Sequence, residues 1–272
     1  MTDNFEVWQW ALALLAALLA GVAKTGFNGA GTLTAALFAM ILPAKAASGV
    51  VLPLLIAADL VAVVIYRRHF VWRYFWRLLP WALVGIVAGY FAMGKISDAQ
   101  AKTVTGAIVV LLTVLHVWRR RRAEKKAASD DAGNGDAGNA AGGGAVAGSA
   151  PVAEVSRVFG AATGVMAGFT TLVANAAGPL VTIYFLAMRL PKMEFVGTGA
   201  IFFMVVNWVK VPFMADLGLI NTGSLRFNAL LLPAVLLGTL VGRILIARVN
   251  QKTFETLALA LGAIAGLKLL LG

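Results

Sequence analysis

The sequence predicts an all-α polytopic membrane protein built from two inverted repeats of about five membrane segments each. Three observations support this prediction. Of the 272 residues, 60% are hydrophobic and only 13% are charged, which leaves too few polar residues to cover a soluble domain of this length. Apolar stretches recur along the chain at the length needed to cross a bilayer. The second half of the chain also repeats the residue pattern of the first half.

The first repeat is predicted to span residues 1–122. It starts with an apolar helix over 6–22, a polar, glycine-rich break that includes Lys24, and a short helix over 32–42 that stops at Pro43. A single helix over 6–42 would be about 55 Å long, too long for one crossing of about 30 Å. We therefore expect a broken first helix pair that folds back as a re-entrant segment. The further spans of this repeat are predicted at 44–66, 72–93 and 98–118.

Residues 123–153 form a predicted flexible cytoplasmic linker, since they are rich in alanine, glycine and aspartate and lack an apolar pattern. The second repeat, over 154–272, begins with the same features as the first. An apolar helix over 155–173 is followed by a break that ends at Pro179. The remaining segments are predicted at 180–189, 194–214, 224–247 and 253–271.

The duplication is visible in aligned residues of the two halves. A shift of 148 residues places Thr34, Leu42 and Pro43 on Thr182, Leu190 and Pro191. In the following helix, a shift of 153 residues places Pro80, Gly85 and Gly89 on Pro233, Gly238 and Gly242. Five segments are an odd number, so the second repeat would be inverted relative to the first.

The distribution of basic residues supports this inversion. The chain has 23 Lys and Arg against 12 Asp and Glu, and basic residues of membrane proteins collect in cytoplasmic loops. This explains the net charge of +11 without a nucleic-acid partner. With Arg119–Arg122 in the cytoplasm, the inverted arrangement also places there Arg67, Arg68, Arg73, Arg77, Arg157, Arg189, Lys192, Arg243, Arg248 and Lys252. A parallel arrangement of four segments each would move the last five of these to the opposite side.

The two helix breaks are the predicted substrate site. Unpaired backbone groups at a break are costly in lipid and are tolerated inside protein or beside a water-filled cavity. The short helices begin near Gly31 and Pro179, and the positive ends of their dipoles suit an anion. Glycines 85, 89, 238 and 242 are instead expected to permit close helix packing. The side chains and backbone expected at the site come from Lys24, Thr25, Gly26, Asn28, Gly29, Asn175, Gly178 and Pro179.

Two ionisable residues lie deep within predicted spans, where charge is expensive and usually functional. Asp59 and Lys210 occupy corresponding helices, because Asp59 aligns with Asn207 in the second repeat. Lys210 could attract an anion, pair with Asp59, or extend to the membrane surface. Asp59 is a candidate for proton coupling. Asn207 and Thr198 are weaker polar candidates on the same helix as Lys210.

The residue content argues against several other classes. Without cysteine there are no disulfides and no thiolate chemistry, and the two histidines are expected at helix ends rather than at a metal. We find no P-loop, His-Glu-x-x-His motif or second intramembrane aspartate to pair with Asp59, so neither an enzyme nor a cofactor is predicted. An anion channel stays open as an alternative, although no filter motif is evident. A membrane scaffold or sensor without transport also stays open.

Residues around both breaks resemble the TauE/SafE family of sulfite and organosulfonate exporters. In the first repeat the resemblance rests on Gly21–Gly31, Leu42-Pro43 and Tyr66–His69. In the second repeat it rests on Gly168-Phe169, Asn175–Pro179, Ile183-Tyr184, Leu190–Lys192, Gly197-Thr198 and Asn207–Lys210. The resemblance covers nearly the whole chain except the linker. It implies export of a small sulfur-containing anion, such as sulfite or sulfoacetate, across a bacterial inner membrane.

The sequence thus predicts a secondary-active anion exporter that works by alternating access, with proton coupling through Asp59. The expected partners are the small anion and the lipid bilayer. A homodimer is possible, because small-residue helices and twofold symmetry are common in such assemblies.

Overall fold

The computed structural model describes residues 5–25, 31–95 and 157–250, together with isolated positions between 97 and 114 and between 253 and 267. The predicted segments 98–118 and 253–271 lie largely outside these residues, and the linker 123–153 lies wholly outside them. The described α-helices are α1 (Val7–Thr25), α2 (Gly31–Ile41), α3 (Ala44–Tyr66), α4 (Trp72–Met93), α5 (Arg157–Ala174), α6 (Gly178–Ala187), α7 (Lys192–Asp216) and α8 (Thr222–Arg248).

The helix ends lie close to the predicted ones. Pro43 and Pro191 are the residues immediately before α3 and α7, because proline cannot continue the preceding helix but is compatible with the start of the next. Six described helices, α1, α3, α4, α5, α7 and α8, are long and apolar enough to cross a bilayer. The chain is therefore a multi-pass membrane protein.

One predicted boundary is wrong. The break was expected to include Lys24 and Thr25, but α1 continues through both residues. The Thr25 hydroxyl lies 3.1 Å from the Gly21 carbonyl oxygen and 2.8 Å from that of Thr239 on α8. The Lys24 ammonium is paired with a carboxylate on α3. Thr239 and the carboxylate on α3 are remote in sequence from Thr25 and Lys24, so the local pattern could not show that polar residues here are satisfied within a helix.

Two long helices from the first half of the chain pack against two long helices from the second half. Helix α1 packs along α8, and α4 packs along α5. A Cβ atom on Gly238 would overlap the Leu18 carbonyl oxygen, and one on Gly85 would overlap that of Val165. The glycines at these crossings therefore allow two helix backbones to touch, as predicted.

Helices α3 and α7, which align in the predicted duplication, run antiparallel. Near the start of α3, Gly49 lies against Leu219, which follows the end of α7. Near the other end, Gly197 in the second turn of α7 lies against Tyr66 and His69 at the end of α3. The middles of the two helices meet at Asp59 and Asn207.

Basic residues gather at one end of the described bundle. At this end Lys192 donates a hydrogen bond to the carbonyl oxygen of Val249, which connects the start of α7 with the end of α8. At the opposite end the Tyr90 hydroxyl donates to Asp216 at 2.5 Å. The exposed arginines of the basic end are Arg67, Arg68, Arg73, Arg157, Arg189, Arg243 and Arg248.

Candidate anion-binding site

Among the residues that the structure describes, three charged side chains are buried at the centre of the bundle. Lys24 on α1 is 6% exposed, while Asp59 on α3 and Lys210 on α7 are 0% exposed. Charges within a membrane span are costly unless they are paired or hydrogen-bonded. The geometry around each of them therefore shows how the protein tolerates the charge.

Asp59 is held by one residue from each repeat. Its Oδ1 lies 2.8 Å from the Lys24 Nζ, and its Oδ2 accepts a hydrogen bond of 2.6 Å from the Asn207 amide. The ion pair of Asp59 is thus formed with Lys24 and not with Lys210, which the sequence had offered as a partner. Asp59 and Asn207 align in the predicted duplication, and the structure brings these two positions into direct contact.

Lys210 is surrounded by acceptors rather than extended to the membrane surface. Its Nζ donates to Asn175 Oδ1 at 2.6 Å, and to Thr171 Oγ1 and Asn207 Oδ1 at 3.2 Å each. An ammonium group has three N–H donors, and these three oxygens match that number. Lys210 therefore joins α5 and α7 just where α5 ends.

Asn175 forms the break between α5 and α6. Its backbone is left-handed, with φ of 51°, and the N–H groups of Asn175 and Ala176 donate back to the carbonyls of Thr171 and Thr170. The side chain accepts from Lys210 and donates to the Ser48 carbonyl oxygen on α3 at 2.8 Å. Asparagine suits this position, because it tolerates the left-handed conformation and supplies both a donor and an acceptor.

A small cavity of about 20 Å³ lies beside these residues. The first residues of both short helices, Gly31 and Gly178, border it, so two helix N-termini approach one space. The other lining residues are Ala23, Lys24, Leu55, Thr171, Asn175, Phe203 and Asn207. A volume of this size accommodates about one water molecule, so a sulfur oxyanion would fit only after the lining moves.

The two lysines differ in their relation to the cavity. Lys24 lines it, and its Nζ also lies 4.3 Å from the centre of the Phe203 ring. Among the described residues its charged partner is the Asp59 carboxylate, so the ammonium keeps donor capacity for a ligand. Lys210 is not among the lining residues and lies behind Asn175 and Asn207. It can act on a ligand through its charge and through the residues that it positions.

The predicted site residues are partly brought together. Lys24, Asn175, Gly178 and Asn207 line one cavity. The Thr25 hydroxyl is engaged with helix carbonyls, and Pro179 lies in the first turn of α6. Thr198 accepts a hydrogen bond from the Val71 N–H, away from the cavity. Gly26, Asn28 and Gly29 lie outside the described residues.

Sequence reasoning missed three residues that shape the site. Thr171 binds Lys210 and lines the cavity, Phe203 supplies the ring beside Lys24, and the Ser48 carbonyl oxygen binds Asn175. Thr171 carried a signal, because it is a polar residue one helical turn before the predicted break at Asn175. Phe203 and Ser48 carried none, since aromatic and small residues are common in membrane helices.

A comparison with protein-family models identifies the chain. The model described as "Sulfite exporter TauE/SafE" matches residues 12–269, nearly the whole chain. The chain belongs to the TauE/SafE family. The resemblance to this family is thereby confirmed, and the buried cations and the break at Asn175 belong to a TauE/SafE membrane transporter. Neither a curated protein nor a solved structure significantly similar to the chain was found.

Proposed function

We propose that this TauE/SafE protein exports a small sulfur-containing anion, sulfite or an organosulfonate such as sulfoacetate, by alternating access. The observation that carries the proposal is the buried cluster of two lysines and one aspartate beside a cavity bordered by two helix N-termini. Helix N-termini and ammonium groups both favour negative charge. A site with this excess of positive character is suited to an anion.

The proposed binding groups around the cavity are of two kinds, polar side chains and backbone N–H groups at the starts of helices. Lys24 contacts the anion directly, and the amides of Asn175 and Asn207 orient its oxygens. The backbone N–H groups at the starts of α2 and α6 supply further donors. The SO3 group of sulfite or of a sulfonate presents its acceptor oxygens in different directions, so donors that converge from α1, α2, α6 and α7 match its shape.

The packing of the helices supports two inverted repeats as the basis of alternating access. The corresponding helices α3 and α7 run antiparallel, and α1 packs on α8 as α5 packs on α4. Such repeats commonly place the substrate near the membrane midplane at their interface. Rocking of one helix group against the other would then open the small cavity to each side in turn. The basic end of the bundle would face the cytoplasm of a bacterial cell.

Proton coupling through Asp59 belongs to the same proposal. Lys24 serves as partner of Asp59 and as ligand of the anion, so the occupancy of the site and the charge of Asp59 influence each other. Replacing Asp59 with Asn should therefore remove the pH dependence of transport. Transport whose pH dependence is unchanged in this variant would exclude Asp59 as the coupling group.

Ligand binding by the purified protein tests the proposed substrate class. Sulfite, sulfoacetate, taurine and sulfate would be added in detergent, and the rise in the unfolding temperature would be measured, since a ligand that binds the folded state stabilises it. We expect a rise with a sulfur anion that is lost in Asn175→Gly, which keeps the left-handed backbone but removes the amide. Asn250→Ala is the matched control, because Asn250 caps a turn outside the site.

Flux through proteoliposomes separates the proposal from a channel and from a scaffold. A transporter shows flux that is stimulated by substrate on the opposite side, whereas a channel does not. Flux equal to that of protein-free liposomes over a broad anion panel would favour a scaffold or sensor.

In the ligand-binding experiment, a rise in unfolding temperature that persists in Asn175→Gly would place the binding site elsewhere in the protein.

A further inference from the structure

The charges buried at the site do not cancel. In their ordinary ionised forms, Lys24 and Lys210 carry two positive charges and Asp59 carries one negative charge. The other buried polar residues of the described part are threonines, serines and asparagines, which carry no charge. One excess positive charge therefore remains in the middle of the bundle.

A buried charge without a counterion is strongly unfavourable in the low-dielectric interior of a membrane protein. One bound negative charge would neutralise the cluster. A doubly charged anion would instead leave one excess negative charge, unless the protein gained a proton. The site therefore favours a singly charged anion over a doubly charged one, unless a proton binds together with the doubly charged anion.

We propose that the site balances a single negative charge, so that a singly charged anion crosses alone, whereas a doubly charged anion crosses together with one proton bound to Asp59. This inference rests on the proposed function and states how the charge of the substrate sets its coupling. It also assigns different stoichiometries to different sulfonates carried by the same protein.

The geometry around Asp59 provides the route for this exchange. Asp59 Oδ1 faces Lys24, which also lines the cavity, whereas Oδ2 is held by the Asn207 amide. A doubly charged anion that draws the Lys24 ammonium toward itself weakens the ion pair at Oδ1. A proton from the side on which the anion enters then binds Oδ1, and the carboxyl group becomes neutral. When the anion leaves, Lys24 returns to Oδ1 and the proton is released to the same side as the anion.

The groups that face Asp59 fit this assignment. They are Lys24 from α1, and Asn207 and Lys210 from α7. Three oxygens accept hydrogen bonds from the Lys210 Nζ, which matches the three N–H donors of the ammonium form, and we assign Lys210 this form throughout the exchange. Asp59 is the acidic member of this group and is the residue that can take up the proton.

Two sulfonates of similar size make the test direct. Isethionate carries one negative charge at neutral pH, and sulfoacetate carries two because a carboxylate replaces the hydroxymethyl group. Uptake of each anion into proteoliposomes of the full-length protein would be measured with radiolabel, and proton movement with a pH-sensitive dye inside the vesicles. We expect one proton per sulfoacetate and none per isethionate. Net charge transfer, read from the voltage dependence of uptake, should be one negative charge per anion in both cases.

Replacing Asp59 with Asn removes the negative charge of the cluster. In Asp59→Asn the cluster carries two positive charges, so sulfoacetate should move without a proton. Preference for sulfoacetate over isethionate should rise by at least about tenfold, since an unbalanced buried charge is costly. Asp216→Asn is the matched control, because it makes the same chemical change at an exposed position of the opposite bundle end. It should behave as the wild type.

The outcomes distinguish this inference from the proposed function. Equal proton-to-anion ratios for the two sulfonates in the wild-type protein would overturn the charge-balance inference while leaving anion export intact. The same conclusion would follow if Asp59→Asn left the preference unchanged. Absence of flux with isethionate, sulfoacetate and sulfite would contradict the proposed function and this inference with it. The wild-type ratios decide the question even if Asp59→Asn does not fold.

Discussion

At the scale of single residues, Lys24 and Asp59 depend on each other for burial. The two charges lie 2.8 Å apart and are removed from water. Breaking such a pair by removing one partner costs about 3–5 kcal/mol, because the other charge stays buried and unpaired. We expect Lys24→Gln to lower the free energy of unfolding by this amount, measured by denaturant unfolding in detergent.

A double substitution distinguishes the loss of the Lys24–Asp59 ion pair from the loss of packing by the lysine side chain. The double variant Lys24→Gln, Asp59→Asn removes both charges and should recover most of the lost stability, although it should not recover anion binding. The exposed Lys95→Gln is the control and should unfold as the wild type does. If the double variant were as unstable as Lys24→Gln, the loss would come from packing of the lysine chain against Phe203 rather than from an unpaired carboxylate.

At the scale of helices, the crossings of α1 with α8 and of α4 with α5 depend on backbone contact. A methyl group at Gly238 would meet the Leu18 carbonyl oxygen, which belongs to a rigid helix backbone and cannot rotate away. Overpacking of this kind costs about 1–3 kcal/mol. We expect Gly238→Ala and Gly85→Ala each to lower the free energy of unfolding by about 1–3 kcal/mol. Thermal unfolding in detergent would show this loss as a lower unfolding temperature.

A glycine outside these crossings provides the comparison. A Cβ atom at Gly94 meets no atom within 4 Å, and its backbone φ of −74° is open to any residue. Gly94→Ala should therefore be neutral or slightly stabilising. Equal unfolding temperatures for Gly94→Ala and Gly238→Ala would show that α1 and α8 can separate without loss of stability.

At the scale of the whole molecule, the two ends of the bundle differ in charge. Arg68 and Arg248 are exposed at the basic end, although they lie in different repeats, while Lys95 and Thr222 are exposed at the opposite end. The chain has no cysteine, so single cysteines can be introduced without a background. With an impermeant maleimide applied to intact cells, we expect labelling of Lys95→Cys and Thr222→Cys but not of Arg68→Cys or Arg248→Cys.

Permeabilised cells are the control for this experiment, since all four cysteines should then be labelled. Labelling of Arg68→Cys and Arg248→Cys from outside would place the basic end away from the cytoplasm and reverse the proposed orientation. Labelling of one but not the other would contradict the packing of α3, α7 and α8, because that packing brings both arginines to the same end.

The sequence by itself determined the membrane class, the family and nearly all helix boundaries among the described residues. These properties follow from local composition, from the length of apolar stretches and from Pro43 and Pro191, which each lie immediately before a helix. The left-handed break at Asn175 could also be located, since it interrupts an apolar pattern with a polar residue before Gly178 and Pro179.

Only the tertiary structure decided which charges pair and which residues meet the cavity. Sequence spacing left Lys210 as a partner for Asp59, but the packing of α1 brings Lys24 to that carboxylate and leaves Lys210 among three uncharged acceptors. The pairing depends on contacts between residues far apart in the chain. A buried charge is stabilised by whatever group the fold places within a few ångströms of it, and no local pattern encodes that distance.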